Sequence, residues 1–482
     1  MSQKLRPSVT LLGILWLLAS ALTTPAQQLL VPPYMQPGNH PDLTHEGKVI
    51  IWQTDSIAAQ FIVEYAAGTS FDSSKKAMSA NVNVNQLRLG VKSTLLYRSA
   101  LSRLKFDQEY VYRVLRNGEE ITRQSFRTRT KKPQTRFAIF GDCGARSSQQ
   151  AKISWLVYQQ HPDFVLVTGD NVYNSGREQE YRRNFFPYYT APSADTLIGS
   201  PIMKTIPFYM LVGNHDIYSA DLTKYPDGLA YFYYNDLPLN AAIPNETLVV
   251  KGPADRVDAF RQAVKPRFPR MTHFSFDHGN VHIACLDANT YVNPLDPAII
   301  DWLAKDLGNS KADWKIVAYH QPGFNSSKAH YDYQLMRLLS PALEQLGVDL
   351  VLTGHVHNYQ RSFPLTFEPK KDSTGSQYLI SKEGRVDGKF TLDQEFDGST
   401  KTKPKGIIYI VTGAGGASLY DKELSAKPFM WKHEPQDNWV PFTAKMISDI
   451  HSFTMIETNS KTLSLKQIDA KSQVIDSITI TK

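Results

Sequence analysis

Leu350-Val351-Leu352-Thr353-Gly354-His355-Val356-His357 sets two imidazoles directly behind a short apolar run. Runs of this length and composition read as buried strands. Four earlier stretches share the layout. Phe137-Ala138-Ile139-Phe140 leads into Gly141-Asp142-Cys143-Gly144, and Phe164-Val165-Leu166-Val167 into Gly169-Asp170-Asn171-Val172-Tyr173. Phe208-Tyr209-Met210-Leu211-Val212 leads into Gly213-Asn214-His215-Asp216, and Ile316-Val317-Ala318 into Tyr319-His320. Five strands therefore deliver a carboxylate, an amide or an imidazole at their carboxyl ends. In open α/β sheets that edge is where ligands bind.

The residue types point to metal. Imidazole suits zinc or iron, whereas carboxylate, amide oxygen and phenolate suit Fe(III), manganese or zinc. No Cys-rich set is present, which argues against a zinc finger or an iron–sulfur cluster. A metal pair needs a shared ligand, and a carboxylate can offer one oxygen to each ion. Asp170 is the natural bridge. Two metals about 3.5–4 Å apart clamp the attacking and leaving oxygens of a phosphoryl displacement.

The five blocks in this order, with Tyr173 three residues after Asp170, resemble the purple acid phosphatases within the calcineurin-like metallophosphoesterases. The family pattern is Asp-x-Gly, Gly-Asp-x-x-Tyr, Gly-Asn-His-Asp/Glu, a lone His and Gly-His-x-His, and the chain matches all five. The resemblance implies one metal on Asp142, Asp170, Tyr173 and His357, and a second on Asp170, Asn214, His320 and His355. It implies Fe(III) beside the Tyr173 phenolate, partnered by Fe(II), Zn(II) or Mn(II). It also implies that His215 contacts the phosphate and protonates the leaving oxygen, that Asp216 orients His215, and that His330 faces the substrate. The expected reaction is hydrolysis of small phosphate monoesters by direct attack of a metal-bound hydroxide. A phosphodiesterase or nucleotide hydrolase would use the same residues, and a non-catalytic secreted binding protein is the reading from another class.

Other features have simpler explanations. His273, His278 and His282 lie in two strand-like runs joined by a Gly279-Asn280 turn, so they are expected to serve the fold. His40, His45, His161, His433 and His451 are given no role. Cys143 neighbours Asp142, but adjacent strand residues point to opposite faces, so it is expected to pack as a small hydrophobe. Gly413-Ala414-Gly415-Gly416 lacks the Lys-Ser/Thr of a P-loop and reads as a tight turn at the sheet edge near the site.

The chain has 482 residues, enough for two domains. Residues 1–26 read as a cleaved secretory signal: Lys4 and Arg6, an apolar core from Val9 to Leu22, and Thr24-Pro25-Ala26. That predicts a secreted or periplasmic protein, and no later stretch is apolar enough to span a bilayer. The only two cysteines, Cys143 and Cys285, do not make a disulfide framework. The net charge of +7 favours anionic substrates, without the aromatic–basic interleaving of a dedicated nucleic-acid groove. The oligomeric state is not legible.

Short alternating strands and an Asn117-Gly118 turn signal predict an all-β sandwich over 27–130, similar to the fibronectin type III-like domain of the larger purple acid phosphatases. Strands alternating with helices predict a layered α/β region over 131–482, for which the family implies two packed mixed sheets flanked by helices. Helices are expected over Ser147–Gln160, Pro297–Leu307 and Tyr333–Leu346. Phe363–Lys405 is expected to be an inserted lysine-rich hairpin or loop rimming the site.

Overall fold

The computed structural model describes residues 27–482 except 73, 75, 90, 91 and 426–439. The expected leader and His433 lie outside the described residues. The first part of the chain is all-β. One antiparallel sheet runs in the order Leu29–Gln36, Lys48–Thr54, Lys92–Leu101, Val82–Leu89. The second runs Met78–Ala80, Phe61–Ala67, Glu109–Arg116, Glu119–Arg127. Phe61, Val63 and Tyr65 alternate inward, as period-2 patterning requires. Asn117 and Gly118 both adopt positive φ, which the two-residue hairpin turn demands.

Lys48–Thr54 is buried along its whole length. Its Ile50 and Trp52 face the sandwich core, where Trp52 stacks on Tyr97. Its Val49 and Ile51 belong to the same apolar cluster as Phe137, Phe164 and Phe276 of the α/β region. A strand covered on both faces reads as a continuous apolar run, which Val49-Ile50-Ile51-Trp52 is. Arg98 and Asp236 form a buried ion pair between the two parts at 3.0 Å.

From Gln134 two mixed sheets pack face to face. The six-stranded sheet runs Phe208–Met210, Phe164–Val167, Gln134–Phe140, Ser452–Asn459, Thr462–Asp469, Val474–Thr481. The seven-stranded sheet runs Phe274–His278, Val281–Cys285, Trp314–Ala318, Leu350–Thr353, Ile408–Thr412, Tyr359–Ser362, Thr443–Ile447. Tyr209 stacks on Phe276 across the layers with centroids 3.6 Å apart. The five predicted strands occupy neighbouring parallel positions, three in the first sheet and two in the second. Their carboxyl ends meet at one edge of the sandwich.

Ser147 caps the helix Ser148–Gln159 by accepting from the Gln150 N–H, and Asp296 caps Pro297–Asn309. The third expected helix differs. Tyr333–Leu346 divides into a 3-10 turn, Leu335–Leu339, and a short α-helix, Ser340–Gln345. Pro341 is the cause: it lacks an N–H and is tolerated only in the first helical turn, so the α-helix must begin beside it. Within Phe363–Lys405, Leu365–Pro369 pairs with Gly388–Leu392 as a two-stranded ribbon.

Candidate metal centre

Each predicted ligand sits on the turn that follows its strand. Asp142, Asp170 and His355 have positive φ, and so does His330. Non-glycine residues rarely hold that conformation, and they do so mostly where surrounding structure enforces it. Here close packing supplies the constraint. A Cβ on Gly213 would lie 2.2 Å from the Asp170 backbone nitrogen. One on Gly413 would lie 2.3 Å from the Val356 carbonyl oxygen and 2.7 Å from Asp142 Oδ2. The glycine-rich turn after Ile408–Thr412 therefore braces the Asp142 loop from behind.

Two acceptor clusters result. In the first, Tyr173 Oη lies 3.1 Å from Asp142 Oδ1, 3.3 Å from Asp170 Oδ2 and 2.9 Å from His357 Nε2. His357 Nδ1 donates to the Ser418 carbonyl, which leaves Nε2 as an acceptor when the ring is neutral. In the second, His320 Nε2 lies 3.1 Å from Asn214 Oδ1 and 3.3 Å from Asp170 Oδ2, while its Nδ1 donates to the Thr168 carbonyl. The His355 ring sits 5.0 Å from that of His320. Its Nε2 is buried without a hydrogen-bond partner among the described residues. Asp170, His320 and His355 bring ligand atoms within 4.8 Å of one another. All seven predicted ligands are thus gathered, with Asp170 common to both clusters.

The chemistry of this donor set fits cations. One phenol proton cannot satisfy three acceptors around Tyr173, and the buried His355 Nε2 has no hydrogen-bond partner among the described residues.

A family model described as calcineurin-like phosphoesterase matches residues 135–359, and one described as iron/zinc purple acid phosphatase-like protein C matches 406–477. Residues 135–359 are a calcineurin-like phosphoesterase domain. With its relatives, that makes the chain a metal-dependent phosphoester hydrolase. Purple acid phosphatase 21 of Arabidopsis thaliana is 24% identical over 375 residues, covering 75% of each chain. Phosphoenolpyruvate phosphatase of Allium cepa is 24% identical over 357 residues, 70% of this chain and 64% of that one. The solved purple acid phosphatase from yellow lupin seeds shares the fold, with a TM-score of 0.60 at 17% identity, over 93% of this chain and 74% of that one.

The electrostatics of this phosphoesterase site are those of buried negative charge. Burial raises the Asp142 carboxyl well above its ordinary range, and neighbouring Asp170 adds to the rise. Burial would raise Asp170 too, but the His320 imidazole beside it outweighs that and holds it down. Burial alone would depress His320, yet Asp170 and Asp142 push it up to about 9. Burial pushes the Tyr173 phenol well above its usual value, with Asp142 and Asp170 adding to the effect. Tyr173 therefore keeps its proton unless a cation takes the proton's place.

The remaining predicted residues fall as follows. His215 stands at the mouth, its Nδ1 donating to the Asn174 carbonyl at 2.6 Å and its backbone N–H to Asp170 Oδ1 at 2.9 Å. The His330 ring lies 4.1 Å from that of His355. Asp216 differs from expectation: Asn174, not Asp216, holds the His215 ring. The buried Asp216 carboxylate accepts from Gly213 N, Asn171 N and Nδ2, and Tyr181 Oη. It sits inward because Gly213 starts a helical turn, and Asp216 reaches back to cap it. Burial, reinforced by Asp170, lifts its carboxyl to about 7.

Two aromatic residues escaped the sequence reading. Tyr420 stacks on His357 at 4.0 Å, and Tyr333 lies 5.5 Å from both His330 and His355. Neither is a metal-type ligand in a strand-end motif. The one cue to Tyr420 was its closeness to the glycine run. Cys143 is fully buried, and His282 is held between Asp277 and Asp306, both serving the fold as expected.

Proposed function

We propose that the chain is an exported acid phosphatase that hydrolyses phosphate monoesters with two metal ions. The observation that supports this most is the pair of acceptor clusters sharing Asp170. Asp142, Asp170, Tyr173 and His357 would hold one ion, Fe(III) by its preference for phenolate. Asp170, Asn214, His320 and His355 would hold the second, Fe(II), Zn(II) or Mn(II). Such a pair, when bound, lowers the pKa of water and neutralises charge on the transferring phosphoryl group.

The protein's own groups do the rest. Thr168 and Ser418 carbonyls fix His320 and His357 so that Nε2 points away from the backbone contact. His215 is tethered through Nδ1, which leaves Nε2 to stabilise phosphate charge and give a proton to the departing oxygen. His330, whose ring lies 4.1 Å from that of His355, would offer a neutral imidazole as a hydrogen-bonding partner for the phosphate. No side chain is required as a nucleophile, so water attacks phosphorus directly. The expected export rests on the leader-like residues 1–26, and no described helix is long and apolar enough to cross a membrane.

The test is a substrate and pH profile of the purified protein against an aryl monoester, its diester and a nucleoside triphosphate, with and without chelator. The proposal expects chelator-sensitive monoester turnover that is fastest in acid. Preferential turnover of the diester or nucleotide would replace it with another reaction at the same site.

A further inference from the structure

Residues 380–384, which join the two strands of the ribbon inserted between Phe363 and Lys405, form one wall of a cavity of about 350 Å³. Segment 360–405 lies outside both family matches, so this wall is a feature of the chain rather than of the family pattern. Asp332 pairs with Arg385 of the ribbon, Gln334 N donates to the Gly384 carbonyl, and Val386 N donates to Gln334 Oε1. The ribbon is therefore pinned to the loop that carries His330. Tyr333 of that loop lies against His330 and His355 and also lines the cavity, so cavity and metal centre share a wall.

The lining has a recognisable chemistry. Val292, Pro294, Met336 and Ile380 supply apolar surface. Gln321, the residue after His320, also lines it and is 5% exposed. Its orientation is set by a relay: Asn289 Nδ2 donates to Asp287, so Asn289 offers its oxygen, and Gln321 Nε2 donates to that oxygen at 2.9 Å. Gln321 Oε1 is left buried and without a partner among the described residues. An unpaired buried acceptor is costly to maintain unless a ligand completes it. Lys382 and Glu383 add one charge of each sign and Asp332 is paired with Arg385, so net charge does not select the occupant.

We infer that this cavity receives the leaving-group half of the substrate: a bulky, largely apolar phenol or alcohol bearing a hydroxyl or N–H donor for Gln321 Oε1. The inference rests on the phosphomonoesterase reading and deepens it. Two substitutions on the ribbon test it without touching the metal centre. Lys382→Trp fills the cavity, and Ile380→Asp makes its wall polar. Wild-type protein should show kcat/KM for 6-hydroxy-2-naphthyl phosphate at least about tenfold above that for phenyl phosphate, whose leaving group is of similar acidity. Both variants should lose most of that preference while phenyl phosphate turnover stays nearly unchanged. Binding of 2,6-naphthalenediol, measured by its fluorescence, should weaken about tenfold in both variants and should exceed binding of 2-naphthol in the wild type. An unchanged substrate ratio, or diol binding indifferent to both substitutions, would overturn the assignment. If no phosphate ester is hydrolysed, the activity reading fails, and diol binding still decides the cavity.

Discussion

His282 gives the fold a pH-dependent clasp whose size follows from its surroundings. Its ring is 2% exposed and bridges Asp277 at 2.7 Å and Asp306 at 2.8 Å, tying Val281–Cys285 to Phe274–His278 and to the helix Pro297–Asn309. Burial alone would lower its pKa, but hydrogen bonds to the two carboxylates outweigh burial and raise it from 6.5 to about 9. At roughly 1.4 kcal/mol per pH unit, the rise corresponds to about 3 kcal/mol. Asp277 is half exposed, so solvent screens its share and about 2 kcal/mol is the better figure. Because the folded-state pKa is raised, this stability is fully present below pH 6.5 and is lost as pH rises through 9. His282→Gln keeps neutral hydrogen-bonding capacity at the position and removes the titration. Urea unfolding of both proteins across that range should show a stability gap of about 2 kcal/mol at the acid end that narrows steadily toward alkaline pH. A gap that stays constant with pH would refute the charged clasp.

Three further outcomes follow from the site. Asp216→Ala strands the buried donors of Gly213, Asn171 and Tyr181 and should cost about 3 kcal/mol, read as a lower midpoint of unfolding; an unchanged midpoint would contradict the capping role. Gly413→Ala forces a methyl group into Val356 and Asp142 and should reduce bound metal and turnover together, checked by metal analysis of the purified variant. Tyr173→Phe should remove visible absorption from the iron-loaded protein while part of the activity remains; a wild-type protein that is colourless and fully active without iron would oppose the phenolate assignment.

The sequence carried the centre because its signals were local. An apolar run followed at once by Gly-Asp or Gly-His states both a strand and what stands at its end, and parallel pairing then brings the ends together. Asn117-Gly118 and Gly279-Asn280 announced their hairpins in the same way, through the backbone conformations those turns need. What was missed depends on distant partners. Asp216 was read by its neighbour His215, but tertiary packing turned it toward Tyr181 and Asn171. Tyr333 and Tyr420 reach the centre from loops whose paths the sequence does not encode locally. The apolar run at Val49–Trp52 is buried on both faces, and nothing local to it says that the second face meets the α/β sheets. Pro341 divides the expected Tyr333–Leu346 helix, because one ring without an N–H can sit only in a helix's first turn.

The most direct test of the account is a crystal structure of the metal-loaded protein with anomalous scattering recorded at the iron edge. The account predicts two metal peaks bridged by Asp170, the iron peak on the side of Asp142, Tyr173 and His357, and the other beside Asn214, His320 and His355. A fully active protein with a single metal, or with metal bound away from Asp170, would contradict it.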